Sequence, residues 1–209
     1  MLRGVPDAEE ELRERLRALA RAADLPVPEL EMQPDPKAEY APTRVRRGDD
    51  GVRRVHASSS LLTASPEEQT WHLASSLGWW TSPAPRRRRR QTLAVFAAVA
   101  VPYATLALAS LFNNIELPRA LLLAGPPLLG LLMIVSIQGM TRRERRSFDA
   151  VGHDVLAASG HSPATLARQV FGGRPDLPWH KQLFSAEPAP SRRLADAEEW
   201  RSRPYRSLH

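Results

Sequence analysis

The sequence has 209 residues, a formal net charge of +6 and no cysteine, which excludes disulfides and thiolate metal sites. Its N-terminus is charged throughout and lacks the apolar core of a secretory signal peptide, so we expect this segment to stay in the cytoplasm. Apolar residues concentrate between Thr92 and Met140. This distribution favours a small domain with a membrane anchor over one ordinary globular domain.

The first predicted element is an amphipathic helix that ends near Ala23. Asp7 is its candidate cap, acidic residues occupy its first turn, and Leu12, Leu16 and Leu19 recur at helical spacing. Such a pattern predicts one apolar face packed on a core and one solvated face.

Two short strands and a capped helix follow. Residues Pro28–Gln33 and Val52–Ser59 read as strands separated by a polar connection that contains Pro and Gly, which predicts a small sheet. Ser65 and Pro66 are typical of a helix start, and the helix must end before Pro83. Ser75 and Trp79 share one face of this helix at four-residue spacing.

Two uncharged apolar runs predict a transmembrane hairpin. Thr92–Phe112 contains no ionisable side chain except the phenol of Tyr103, and Ala120–Met140 contains none. Each run matches the roughly 20 residues that span a bilayer. The alternative, a buried helical hairpin in a soluble domain, is disfavoured because two uncharged runs of this length are rare there.

Arginines flank both runs, while the connector between the runs holds one Glu and one Arg. The positive-inside rule then places both termini in the cytoplasm and the protein in the cell membrane as a multi-pass protein. We expect the arginines to contact anionic lipid headgroups rather than nucleic acid, because no nucleic-acid recognition motif accompanies them. These membrane-surface residues are Arg86, Arg87, Arg88, Arg89, Arg90, Arg142, Arg143, Arg145 and Arg146.

Two further helices are predicted after the second run. One extends from Ser147 to Gly160, and the other begins with Ser162 as its cap. The tail from Ser185 is rich in Pro, Arg and Glu, which predicts partial order. The predicted domains are a cytoplasmic N-terminal half (1–85), a membrane hairpin with its flanking arginines (86–146), C-terminal helices (147–184) and a tail (185–209).

This order of elements resembles the HtpX-like membrane zinc metallopeptidases, relatives of the CAAX prenyl proteases, over about Leu12 to Ala195. The stretch "VHASSSLLTASPEEQTWHLASSLGW" is similar to the strand and active-site helix of that family, and "TRRERRSFDA" to its later helix, with Asp149 kept. The ending "EPAPSRRL" keeps Pro188, Arg192 and Leu194. The resemblance implies an α+β fold: a small zincin-like helical domain with a short sheet, interrupted by a two-helix transmembrane hairpin.

The residues that carry the chemistry of the family are missing. The resemblance places Ser75, Ser76 and Trp79 where the family has its H-E-x-x-H histidines and glutamate, and Arg145 where it has the third zinc ligand. A hydroxyl is a poor zinc ligand, an indole offers no lone pair, and a guanidinium is permanently positive. The sequence therefore predicts no bound metal or other cofactor and no catalytic residue.

Two other kinds of site are conceivable from residues on the same predicted helices. His72, Asp149 and His153 form a conceivable replacement metal cluster, with zinc as the ion. Ser76 and His72 have the spacing of a serine nucleophile and its base, but no nucleophile elbow accompanies them, and a serine in mid-helix more often bonds a preceding carbonyl.

The leading functional hypothesis is an integral-membrane pseudopeptidase. It would act as a binding, regulatory or scaffold partner of a membrane protease or of a peptide segment. The alternatives are an active membrane metalloendopeptidase with non-standard ligands and a structural membrane protein.

Overall fold

The computed structural model describes residues 5–33, 43–47, 52–81 and 119–201, with a few short pieces between 90 and 105. Six α-helices and three strands are defined in this part of the chain. The helices are α1 (Val5–Ala22), α2 (Pro66–Thr81), α3 (Arg119–Ala158), α4 (Pro163–Phe171), α5 (Trp179–Phe184) and α6 (Pro190–Arg201), and the strands are β1 (Glu29–Gln33), β2 (Thr43–Arg47) and β3 (Arg53–Ser58).

Helix α1 is the amphipathic helix that the sequence predicts. It begins at Val5, so Asp7 lies in its first turn, where a carboxylate favours the positive end of the helix dipole, rather than at the cap. Leu12, Leu16 and Leu19 are buried at its apolar face. Asp24 ends the helix in the left-handed region, with φ of 52°.

The sheet has three strands in the order β1-β3-β2. Strand β1 pairs with β3 in parallel, with Leu30 opposite Val55, and β2 pairs with β3 in antiparallel, with Val45 also opposite Val55. The first and third strands fall where the sequence predicts strands. Strand β2 lies in the polar connection between the two predicted strands, where the sequence analysis predicts no strand.

The core joins one face of α1 to the sheet, α2 and the C-terminal helices. Trp71, Leu73 and Leu77 of α2 are buried in it. From α3 it receives Val155 and Leu156, and α4 adds Val170 and Phe171. The chain therefore builds this core from segments on both sides of the long apolar region.

The chain divides into two compact units. The first comprises Met1–Ser82, Arg145–Leu177 and Glu187–His209, and the second comprises Pro83–Glu144 and Pro178–Ala186. Helix α3 contributes its residues up to Glu144 to the second unit and the rest to the first. The four positions that the resemblance assigns to catalytic residues, Ser75, Ser76, Trp79 and Arg145, lie in the first unit.

The predicted transmembrane hairpin is wrong, and with it the predicted fold class and the multi-pass localisation in the cell membrane with cytoplasmic termini. Among the described residues, no helix is both long and apolar enough to cross a bilayer. The observed fold is mostly helical with one small sheet. The first predicted span, Thr92–Phe112, lies outside the described residues apart from a few short pieces.

The second predicted span, Ala120–Met140, is not a separate element but part of α3. This helix continues beyond the predicted span into charged residues that begin at Arg142.

Candidate functional site

Helix α2 carries Ser75, Ser76 and Trp79, three of the four positions that the resemblance assigns to catalytic residues. The amide of Glu68 donates to the hydroxyl of Ser65 over 3.2 Å, which caps the helix at the residue that the sequence predicts. Ser75 donates a hydrogen bond to Asp149 of α3, and the ring of Trp79 lies 6.4 Å from that of Phe148, measured between centroids. One face of α2 is thus turned toward α3.

Two glycines allow α2 and α3 to approach closely. A Cβ added at Gly78 would lie 2.4 Å from the carbonyl oxygen of Phe148, and one added at Gly152 would lie 3.0 Å from the Cα of Ser75. Both neighbours are backbone atoms, which have little freedom to move aside. The close packing of α2 against α3 therefore depends on the absence of side chains at Gly78 and Gly152.

Asp149 is the centre of a buried polar network. It is 4% exposed and accepts hydrogen bonds from Ser75 and, over 3.0 Å, from Nε of Arg193 in α6. The same guanidinium donates through Nη2 to Glu187 over 2.9 Å, and Arg145 donates to the other oxygen of Glu187. We call Ser75, Asp149, Arg193, Glu187 and Arg145 the Asp149 network.

The Asp149 network brings three predicted site residues together. Ser75 and Arg145, which the resemblance places at ligand positions, both belong to it, and so does the kept Asp149. A buried carboxylate is tolerated only when it is paired and hydrogen-bonded, and Arg193 and Ser75 meet both conditions for Asp149. Two guanidinium groups and a hydroxyl thus surround the carboxylates.

Sequence reasoning missed Arg193 and Glu187. It singled out the neighbouring Arg192, which is half exposed and pairs with Asp196 over 3.2 Å. Helical spacing could have identified Arg193 as a residue of the buried face: it precedes the buried Ala197 by four residues, so the two share a face of α6. That signal needs the tail to be helical, whereas its composition predicts partial order.

Ser76 faces the sheet rather than the Asp149 network. Its Oγ lies 2.8 Å from the backbone carbonyl oxygen of His72 and 2.8 Å from Oγ1 of Thr43 in β2. The imidazole of His72 is directed elsewhere, with Nε2 3.8 Å from a carboxylate oxygen of Glu68. The two side chains of the conceivable serine–histidine pair therefore have other partners, and Ser76 bonds the preceding carbonyl as a mid-helix serine commonly does.

Glu68 and His72 have perturbed acidities. The neighbouring imidazole of His72, followed by the guanidinium of Arg174 at 3.1 Å, lowers the pKa of Glu68 to about 2, against the opposing effect of its burial. Burial lowers the pKa of His72 despite the nearby Glu68 carboxylate, and the charge of Arg193 acts in the same direction. His72 is therefore held neutral beside a carboxylate that stays ionised well into acid.

His153 lies among aromatic rings. It is 2% exposed, and its ring centroid is 5.3 Å from that of Trp71 and 6.2 Å from that of Trp200. Trp200 is fixed in turn by a 2.8 Å hydrogen bond to Asp154. The nearest partners of the three residues thus differ: Glu68 for His72, Ser75 and Arg193 for Asp149, and aromatic rings for His153. The described part of the chain contains no group of three His, Asp or Glu residues that could hold a metal ion.

Several arginines predicted to contact a membrane surface make contacts within the protein. Arg142 donates to the backbone carbonyl of Gln182 over 2.8 Å, and Arg146 forms a two-point pair with Asp196 at 2.7 and 2.8 Å. Arg143 and Arg90 are exposed, whereas Arg86–Arg89 lie outside the described residues. The basic segment of α3 is therefore partly used to hold neighbouring segments.

Comparison of the chain with protein-family models, with curated proteins and with solved structures finds no match. The resemblance to the metallopeptidases consequently depends on motif order in the sequence. Function has to be inferred from the chemistry of the described side chains.

Proposed function

We propose that this protein is a pseudopeptidase: a domain built like a zinc peptidase that binds a partner without catalysing a reaction. The observation that carries the proposal is the Asp149 network. Its hydrogen bonds and ion pairs engage Ser75 and Arg145, two of the three positions that the resemblance assigns to metal ligands, with Arg193 between two carboxylates and Arg145 on one of them.

The donor set in this region does not fit zinc. Ser75 contributes a hydroxyl, Trp79 an indole and Arg145 a guanidinium, and none of these is a good ligand for a divalent ion. A guanidinium about 4 Å from a dication would be repelled by about 8 kcal/mol at an effective dielectric constant of 20. Arg193 adds a second positive charge to the same cluster. We therefore assign no step that passes through a metal.

Catalysis also lacks a proton acceptor at the vacated glutamate position. Ser76 stands there, and its hydroxyl is directed to the His72 carbonyl and to Thr43. Without a metal or a general base, water activation has no source in this region. The role left for a well-packed domain of this kind is to bind: to regulate or scaffold a membrane protease, or to hold a peptide segment.

Metal analysis and a proteolysis assay test the absence of catalysis. We expect the purified full chain to carry far less than one zinc per molecule by elemental analysis, and to leave casein intact with and without a chelator. Near-stoichiometric zinc together with chelator-sensitive cleavage would overturn the proposal and establish a metalloendopeptidase with unusual ligands.

A restored variant tests the placement of the family positions. Ser75→His, Ser76→Glu, Trp79→His and Arg145→Glu combined should bind zinc, because three of these changes supply ligands on the facing sides of α2 and α3, and the fourth restores the glutamate of the family motif. The same variant without Arg145→Glu is the matched control and should bind far more weakly. If neither binds zinc while both remain folded by circular dichroism, the family register is wrong.

A further inference from the structure

The part of helix α3 that belongs to the second unit exposes a stripe of large apolar side chains. Its four members are 45% to 62% exposed: Leu128, Leu131, Leu132 and Ile134. At about 100° of rotation per residue, all four point within about 80° of the direction of Arg142, so they share one side of the helix. The other residues between Leu129 and Arg142 are half-buried. The exposure of this part of α3 is therefore one-sided.

Helix α5 follows the stripe at its C-terminal end. The guanidinium of Arg142 donates to the backbone carbonyl of Gln182 over 2.8 Å, within the second unit. Trp179 and Phe184 of α5 are 75% and 48% exposed. A concentration of large apolar side chains at a protein surface marks a contact site, whereas single exposed ones need no explanation. We call the four α3 residues together with Trp179 and Phe184 the apolar platform.

The second unit is also strongly basic. Its sequence contains two carboxylates, Glu116 and Glu144, against nine basic residues, which are Arg86–Arg90, Arg119, Arg142, Arg143 and Lys181. Arg143 and Lys181 are exposed. The first follows Arg142 in α3, and the second lies between Trp179 and Phe184 in α5. Exposed cations thus accompany the apolar platform on both helices.

This combination of side chains selects an anionic lipid surface. An anionic bilayer presents acyl chains directly beneath headgroup phosphates, so one surface serves both the apolar side chains and the cations. Tryptophan is typical of that boundary. A second copy of the chain would bring Arg143 and Lys181 against like charges, with few carboxylates to offset them. Nucleic acid would meet the cations but would leave the leucines of α3 in water.

We propose that the second unit docks on the surface of an anionic lipid bilayer. The apolar platform lies at the boundary of the acyl chains, and Arg143 and Lys181 contact headgroup phosphates. The contact is with one leaflet and involves no spanning helix. The site belongs to the second unit and the Asp149 network to the first, so this proposal and the pseudopeptidase assignment can fail separately.

Co-sedimentation of the purified full chain with vesicles tests the proposal. Phosphatidylcholine vesicles with about one quarter phosphatidylglycerol should bind the chain saturably. They should bind it at least about tenfold more tightly than vesicles of phosphatidylcholine alone, because the cations meet anionic headgroups. Sodium chloride at about 0.5 M should release most of the bound chain, because salt screens exposed charges.

An apolar truncation identifies the platform. Trp179→Ala should weaken binding to the anionic vesicles about tenfold, because it removes the most exposed large apolar side chain among the described residues. Val27→Ala is the control, since it shortens a side chain that is 46% exposed in the first unit. The control should change the affinity by less than about twofold. Circular dichroism checks that both variants are folded.

Charge reversal identifies the cations. Arg143→Glu with Lys181→Glu should weaken binding to the anionic vesicles at least about tenfold and leave binding to phosphatidylcholine alone nearly unchanged. The matched control is Arg168→Glu with Arg192→Glu, which makes the same charge change at two exposed arginines of the first unit. It should weaken binding by less than about threefold.

Four outcomes would overturn the proposal. The first is no saturable binding, or equal affinity for the two kinds of vesicle. The second is an equal response of a test variant and its control. The third is retention of the chain on the vesicles at high salt, which would indicate insertion rather than surface docking. The fourth is a wild-type dimer in sedimentation velocity that Trp179→Ala dissociates, since a second copy would then cover the platform.

Discussion

The two parts of helix α3 reverse the usual relation between polarity and burial. Between Pro127 and Met140 its side chains are mostly apolar, yet Leu128 and Leu132 are 62% and 53% exposed. Between Arg145 and Ala158 it carries charged and polar residues, yet Asp149 and His153 are almost completely buried. Both parts belong to one uninterrupted helix.

The difference shows that packing partners, rather than hydropathy, set burial along this helix. The second part meets α2 at Gly152, and α6 supplies Arg193 to Asp149 and Trp200 to Asp154. Asp149 thus has a partner of opposite charge, and Asp154 has a hydrogen-bond donor. These partners make the desolvation of the two carboxylates tolerable. A sliding average of hydropathy would predict burial only for the first part.

The largest expected effect comes from removing the partner of Asp149. Arg193→Met should lower the free energy of unfolding by about 3–5 kcal/mol, because it leaves a buried carboxylate without its counter-charge. Arg168→Met is the matched control, since it breaks an exposed pair with Glu198 and should cost less than about 1 kcal/mol. Urea denaturation followed by tryptophan fluorescence measures both, and equal losses would show that the buried pair contributes no more than an exposed one.

Two glycines of the same helix should respond in opposite directions to alanine. Gly152→Ala should destabilise the protein by about 1–3 kcal/mol, because the new Cβ meets the backbone of Ser75 at 3.0 Å. Gly130→Ala should stabilise it by up to about 1 kcal/mol, since nothing lies within 4 Å and alanine favours the helix. Thermal unfolding of both variants measures the difference, and a stabilising Gly152→Ala would mean that α2 and α3 can separate at low cost.

The smallest expected effect is on the stability of the protein at acidic pH. The pKa of Glu68 is lowered to about 2 in the folded protein, against 4.5 for an unperturbed glutamate. The contribution of the ionised Glu68 to the free energy of unfolding is therefore complete above pH 4.5 and is lost as the pH falls toward 2. Because the side chain is partly exposed, we expect a loss of about 1 kcal/mol. Between Pro127 and Thr141, α3 has no ionisable side chain, so acid acts only through the polar regions.

The variant Glu68→Gln should flatten this part of the stability–pH curve. Glu67→Gln is its control, because it removes a carboxylate from the same turn and leaves the contacts of Glu68 in place. Burial lowers the pKa of His72, so stability also falls as the pH drops below 6.5, and this loss should persist in both variants. A curve that Glu68→Gln leaves unchanged would contradict the assignment.

Local signals in the sequence predicted the elements with sharp ends. Ser65 and Ser162 accept the hydrogen bonds expected of helix caps, and Gly160 ends α3 with φ of +81°. Strands β1 and β3 were predicted from their composition. Each of these signals acts over a few residues, so a single sequence contains all of it.

What depends on distant partners was not predictable in the same way. Arg193 lies 44 positions from Asp149 in the sequence, and Glu187 lies 42 positions from Arg145. Strand β2 is defined by its pairing with β3, because its arginine-rich sequence does not stand out from the surrounding connection. The hairpin prediction failed because it treated the apolar part of α3 as an isolated segment, whereas one helix continues through the charged residues that follow.

The placement of Arg193 in the last described helix has a consequence for biosynthesis. The ribosome releases Asp149 before Arg193, and the 44 intervening positions take about 2–9 s to translate at typical elongation rates. During that interval the nascent α2 and α3 have no counter-ion for this carboxylate, so their docking should be held back until α6 emerges. The order of synthesis would thus delay closure of this unit until α6 has been made.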